Sequence, residues 1–173
     1  MTHFFIHPKS RYVKELLGCL LLVRHATVGE GVRSTSIIGK AKELEVASML
    51  VANGLYVFFP LVDTGFDLIA TNRKGTVFVP IQVKFRAKDP GLALHQKDIA
   101  NFASSNVVVA WVIGTGVAAR QWFIPFREWH SKAKGSPPRR DGLAYVTISK
   151  HADWLKQFEG SAGVRRAFKE ALA

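Results

Sequence analysis

An almost uninterrupted apolar stretch at residues 106–113, NVVVAWVI, limits the folds open to this chain more than any other feature. A strand that is apolar on both faces has to be covered on both faces, because neither side is suited to water. The stretch therefore predicts an inner strand of a sheet that has other elements packed above and below it.

The periodicity of the neighbouring segments predicts helices and strands that can cover this inner strand. Residues 39–53 carry Leu44, Ala47, Leu50 and Val51 at the spacing of one helix face, and Gly54 follows as a stop signal. Strands are predicted at 56–59, 66–70, 76–85, 121–125 and 144–148, and helices at 95–104, 126–133 and 153–172. The order αβββαβ with a helical tail predicts an α/β fold, in which helices flank a mixed central β-sheet.

The domain organisation follows from where this periodicity begins and ends. Residues 37–130 are predicted to form the core, residues 1–36 an N-terminal extension, and residues 131–173 a basic loop with a helical C-terminal extension. The apolar run at 16–23 is far shorter than the ~20 residues of a membrane span, so no membrane segment is predicted. Glu15 and Arg24 beside that run also fit a signal peptide poorly.

Composition narrows the classes of partner. The 24 Lys and Arg residues against 13 Asp and Glu give a formal net charge of +11, while 48% of residues are hydrophobic. A disordered basic tail lacks such apolar content, so a folded domain with a polyanionic partner, nucleic acid or anionic membrane, is expected. The single Cys19 excludes an internal disulfide, and a cytoplasmic location is the default expectation.

The predicted strand at residues 76–85, TVFVPIQVKF, places Gln82 and Lys84 on one face and apolar side chains on the other. The preceding strand contains one acid, Asp67. If the two strands form a hairpin through TNRKG, the three polar side chains converge near one end. A carboxylate, an amide oxygen and an ammonium can there hold Mg²⁺ and position water or phosphate. On these residues alone, an Asp67–Lys84 structural ion pair is the favoured alternative.

Two carboxylates on the helix at 39–53 extend this set. Glu43 and Glu45 are two residues apart and so point to different faces, and periodicity does not decide which one reaches the sheet. Glu43 is also consistent with a solvated residue that pairs with Lys40 or Lys42.

The segments GKAKELEVASMLVANGLYVFFP, GFDLIA and IQVKFR, in this order and with a basic turn before the last, resemble the PD-(D/E)XK nuclease superfamily over about residues 39–125. The Glu-bearing helix resembles that of archaeal Holliday-junction resolvases, and the Gln of IQVK resembles the intron-associated endonuclease-like branch. The resemblance implies a restriction-endonuclease-like fold and endonucleolytic hydrolysis of DNA with Mg²⁺ or Mn²⁺. It also implies Glu43, Asp67 and Gln82 as catalytic metal ligands and Lys84 as the catalytic lysine.

Two residues depart from the family pattern. Gln82 stands where an acid is usual and removes one negative charge from the metal site. Pro80 cannot donate to a β-ladder, so the strand is predicted to have a bulge or an edge there.

Basic residues surround the predicted hairpin and suggest DNA, branched or otherwise structured DNA included, as the partner. The candidates for DNA contact are Lys40, Arg73, Lys74, Arg86, Lys88, His95, Gln96 and Lys97. A homodimer is one form to expect, since both strands of a duplex have to be cut, although no residue locates an interface.

Other interpretations stay open. A DNA-binding module with a degenerate site and a protein-interaction component both fit the basic composition. Gly114, Gly116 and Ala119 match a dinucleotide-binding GxGxxA pattern, but the strand predicted at 121–125 leaves no room for the required helix, so a short connection is expected. The four tryptophans are expected in or beside the core.

Overall fold

The structure is a computed structural model that describes residues 35–62, 65–88, 91–103, 105–133 and 144–172. The apolar run at 16–23, Cys19 and the loop at 134–143 lie outside the described residues. The elements in order are α1 Thr35–Ala52, β1 Tyr56–Phe58, β2 Leu68–Thr71, β3 Phe78–Arg86, β4 Gly91–Leu94, α2 Gln96–Phe102, β5 Val108–Ile113, β6 Arg120–Pro125, α3 Phe126–Ala133, β7 Ala144–Thr147, α4 Ile148–Lys156, α5 Gly160–Ala167 and α6 Lys169–Leu172.

Five strands form one mixed sheet in the order β1-β2-β3-β5-β6. The β3–β5 pair is parallel and the other neighbours are antiparallel. This confirms the predicted α/β fold with helices flanking a mixed sheet. The sequence analysis missed β4, which pairs with β7 in a separate antiparallel ladder. Within the part of the chain that the structure describes, every helix is too short or too polar to cross a membrane.

Both faces of β5 are buried, as the apolar stretch predicted. Alternate residues of β5 enter two cores: Val108, Ala110 and Val112 pack with α1, α5 and α6, whereas Val109 and Trp111 pack with α2, α3 and α4. The tryptophans at positions 111, 122 and 129 are buried and Trp154 packs at the margin, which confirms their predicted place. Residues 144–172, assigned to a C-terminal extension, contribute to both cores.

The buried face of α1 differs from the predicted one. Val46 and Leu50 are fully buried, but Leu44 and Val51 are 56% and 57% exposed, so their predicted burial was wrong. Lys42 lies in the buried face of α1 instead. This is possible because its ammonium donates to both oxygens of Glu45 at 2.8 Å, while its aliphatic stem is covered.

Pro80 lies in β3 without a bulge, since the register with β2 is continuous from Phe78 to Ile81. Backbone N–H groups alternate sides along a strand, and the N–H of Val83 points to the β2 side, where it donates to Asp67. The nitrogen of Pro80 therefore faces the β5 side, and the β5 ladder begins only at Ile81. Of the two predicted alternatives, the edge is confirmed.

The segment after β5 is a short connection, as expected. Residues 116–118 form a single 3₁₀ turn, and β6 then returns antiparallel to β5. This geometry excludes a dinucleotide-binding turn at Gly114 and Gly116, because no helix follows to run beneath the sheet.

Candidate active site

The β2–β3 hairpin brings Asp67 and Gln82 together at its open end. Asp67 immediately precedes β2, whose first residue, Leu68, pairs with Ile81. At the closed end, the N–H of Thr76 donates to the side-chain oxygen of Asn72 at 2.9 Å, and this bond helps to fix the turn. The turn predicted from TNRKG thus has the geometry that the convergence required.

One oxygen of Asp67 is held by the neighbouring strand. The N–H of Val83 donates to Asp67 Oδ2 at 2.6 Å, and the side-chain NH₂ of Gln82 donates to the same oxygen. Among the described residues, no group donates to Asp67 Oδ1. The carboxylate is therefore fixed in direction and keeps one oxygen for a further partner.

The pKa of the Asp67 carboxyl is raised above its ordinary value, chiefly because burial disfavours the charged form. The hydrogen bond from Val83 and the charges of Lys84 and Lys40 act in the opposite direction, and the negative charge of Glu43 raises the pKa further. A carboxylate that is destabilised in its ionised form gains from the arrival of a cation.

Glu43 is the α1 carboxylate that faces Asp67. The two residues line one cleft, together with Lys40, Pro60, Val62 and Phe66. The Glu43 side chain is only 14% exposed, and it pairs with Lys40 on the same helix. Glu43 therefore pairs with Lys40 and also lies beside Asp67, whereas Glu45 pairs with Lys42.

Lys84 pairs with a residue that the sequence analysis missed. Its ammonium is 3.6 Å from Asp98 Oδ2 on α2, and both side chains are mostly buried. The alternative of a direct Asp67–Lys84 ion pair is therefore not what the structure shows. Asp98 was visible only as the single acid of the helix predicted at 95–104, because nothing in its spacing reveals that α2 packs beside β3.

The basic residues predicted to contact DNA fall into separate places. Lys40 lines the cleft, and the exposed Arg86, Lys88, His95, Gln96 and Lys97 follow Lys84 along the chain or begin α2. Arg73 and Lys74 instead lie in the turn at the closed end of the hairpin, beyond the length of β2, about 13 Å at the usual ~3.3 Å per residue. They line a different hollow with Asn72 and Leu172, so the structure does not place these two beside Asp67.

The donor set fits a hard divalent ion. Among the described residues, no three acidic, histidine or cysteine side chains cluster as metal ligands. Two carboxylates, Glu43 and Asp67, nevertheless share the cleft, and Mg²⁺ is commonly held by one or two carboxylates with water and substrate phosphate completing its shell. Oδ1 of Asp67, which has no donor within the described part of the chain, suits such an ion.

Comparison with known proteins finds similarity at the level of structure. The sequence matches no protein-family model and no curated protein. The chain is similar in structure to Hjc, a Holliday junction resolvase from the archaeal hyperthermophile Archaeoglobus fulgidus, with 19% sequence identity and a TM-score of 0.46. The similarity covers 64% of this chain and 84% of that chain.

Proposed function

We propose that this protein is a metal-dependent DNA endonuclease of the PD-(D/E)XK type, which hydrolyses phosphodiester bonds with Mg²⁺ or Mn²⁺. The observation that carries the proposal is the state of Asp67: it is partly buried beside Glu43, its pKa is raised, and Oδ1 has no donor among the described residues. Such an arrangement lowers the stability of the folded protein unless a bound cation compensates for the negative charge.

Each residue of the site has its own role in this proposal. Asp67 and Glu43 hold the ion, which when bound polarises the phosphate and lowers the pKa of its water. The Lys84 ammonium stabilises negative charge that develops on the phosphate oxygens. Gln82 orients Asp67 through its NH₂ group, and the ligand role predicted for it requires the side chain to turn its carbonyl oxygen toward the ion.

DNA is a polyanion, and a protein with a net charge of +11 is expected to bind one. We expect Lys40 in the cleft and the exposed Arg86, Lys88 and Lys97, which follow Lys84 along the chain, to contact phosphates of the DNA backbone. We expect the affinity for DNA to fall steeply with salt, since each phosphate contact releases counterions. Branched DNA as the substrate and a homodimer as the active form belong to the same proposal.

A plasmid-nicking assay tests the function. The wild-type protein should nick supercoiled plasmid or a four-way junction with Mg²⁺ or Mn²⁺ and not with a chelator. Asp67→Ala and Lys84→Ala should each lower the rate by at least about a hundredfold, because each removes a charge that acts on the transition state, while DNA affinity changes little. Asp153→Ala and Lys156→Ala are matched controls, since these residues form an exposed ion pair on α4. Cleavage that survives both site substitutions contradicts the proposal.

A DNA-binding module with a degenerate site is the second candidate. The observation in its favour is Gln82, which replaces a charged ligand and turns its NH₂ group toward Asp67. Such a module should bind DNA with strong salt dependence and show no turnover with any divalent ion.

A further inference from the structure

Helix α2 is fastened directly beside the candidate site. Phe102 is buried and stacks on Phe66, the residue before Asp67, with the ring centroids 5.6 Å apart. Asp98 is four residues before Phe102 and so lies on the same face of α2. The Phe66–Phe102 contact therefore holds Asp98 toward the sheet, where its side chain is 18% exposed.

Asp98 is the ion-pair partner that the structure gives Lys84 within the described residues. The Lys84 side chain stands on the sheet face next to Trp111 and is 24% exposed, with its Nζ 3.6 Å from Asp98 Oδ2. An ammonium that is mostly removed from water is stabilised by a nearby negative partner. Two acids are near it, Asp98 and Asp67, and the ammonium lies against Asp98 while acting on Asp67 only through its field.

This choice of partner matters for a cation. An ammonium bonded to Asp67 neutralises that carboxylate and competes with a metal ion for it. Because Asp98 takes the ammonium, Lys84 does not occupy Asp67, and the Lys84 side chain keeps a fixed direction toward α2.

We propose that Asp98 is a positioning residue of this site, which holds the Lys84 ammonium off Asp67 and thereby keeps metal binding and phosphate stabilisation on separate groups. The inference rests on the proposed nuclease function. It predicts that loss of the Asp98 charge lets Lys84 turn toward Asp67, so that both turnover and the response to metal concentration change.

Asp98→Asn tests this role, because it removes the charge and keeps the shape. We expect kcat to fall about tenfold to a hundredfold, as for other residues that orient metal-site groups, the Mn²⁺ concentration for half-maximal rate to rise, and KM for DNA to stay the same. Asp98→Glu should recover part of kcat. The matched control is Asp153→Asn, the same substitution in an exposed aspartate paired with Lys156, and it should behave as the wild type. Unchanged kcat and metal dependence in Asp98→Asn overturn the inference.

A second measurement is independent of turnover. The unfolding midpoints of Lys84→Met, Asp98→Asn and the double variant form a cycle, and the double variant should lose less than the sum of the two single losses. Additive losses show that the two side chains do not interact and also overturn the inference. A wild-type protein that does not nick DNA removes the proposed function and with it the catalytic role of Asp98, whereas active wild-type protein with normal Asp98→Asn removes the role of Asp98 alone.

Discussion

Two carboxylates near opposite edges of the five-stranded sheet differ in whether another side chain neutralises their charge. Beside β6, both oxygens of Glu159 are occupied by the guanidinium of Arg120, at 2.7 and 2.9 Å, and that guanidinium lies 4.6 Å from the centroid of the Trp122 ring. Beside β2, Asp67 is partly buried with no ion-pair partner among the described residues, and its pKa is raised.

Under our proposal, the charge of Glu159 has a structural role and the charge of Asp67 a functional one. The Arg120–Glu159 pair closes the join between β6 and the segment before α5, where Trp122 and Glu159 also form a β-bridge. Its charges satisfy each other, and the pKa of Arg120 is raised by its hydrogen bonds to Glu159. Asp67 satisfies nothing in the fold that an uncharged side chain could not, so its charge is best explained by a partner from outside.

The largest effect is expected from Gly163→Ala at the join. A Cβ on Gly163 comes within 1.8 Å of the Phe158 carbonyl oxygen, which cannot move because it accepts the N–H of Phe123 at 2.8 Å. We expect a loss of about 3 kcal/mol in the free energy of unfolding, the upper part of the usual range for overpacking. Denaturant titration measures it. Gly39→Ala in α1 is the matched control: its Cβ has no described neighbour within 4 Å, and alanine should gain about 0.5–1 kcal/mol there. Equal effects of the two substitutions contradict this account of the join.

Glu159→Gln should cost less. It removes one charge of the Arg120 pair, which is partly open to solvent, so we expect a loss of at most about 1 kcal/mol that shrinks as salt is added. Nicking activity should stay at the wild-type level, because the join is not part of the cleft. A salt-independent loss indicates that the side chain acts by packing instead.

Asp67→Asn should instead raise the free energy of unfolding at neutral pH. Since the folded-state pKa of Asp67 lies above its ordinary value of 3.8, the folded protein binds this proton more tightly than the unfolded chain does. The free energy of unfolding therefore falls as pH rises from 3.8 through the folded-state pKa, and it stays lower at neutral pH. Asparagine does not ionise and can still accept the N–H of Val83, so the variant should be more stable than the wild type at pH 7.

Unfolding curves across pH measure this difference. It should vanish below about pH 3.8, where Asp67 is protonated in both states, and the variant should have lost nicking activity. An Asp67→Asn protein that is less stable than the wild type at pH 7 indicates that the charge is structural, as it is at the β6 join.

The parts of this fold that depend on local patterns were predictable. The apolar stretch of β5 implied a sheet covered on both sides, and helix α3 has the bounds that its pattern predicts, Phe126–Ala133. The hairpin was also local, since only six residues, 72–77, separate β2 from β3. For that reason the convergence of Asp67 and Gln82 could be predicted from strand alternation together with the hairpin turn.

What could not be predicted depends on how distant elements pack. Periodicity did not choose between Glu43 and Glu45, because the choice rests on Lys42 entering the buried face of α1. Asp98 became visible only once α2 lay beside β3. Likewise, proximity in sequence placed Arg73 near Asp67, although the strand between them carries it to the other end of the hairpin.

Direct titration of the protein with Mn²⁺ by calorimetry, in the absence of DNA, tests the central claim that Asp67 keeps its charge for a metal ion. The wild type should bind Mn²⁺ at one site, with affinity that falls as pH is lowered because the ion and the proton compete for the carboxylate. Asp67→Asn should weaken binding at least about tenfold, while Glu159→Gln should bind as the wild type does. Equal Mn²⁺ affinity in the wild type and Asp67→Asn would contradict the account.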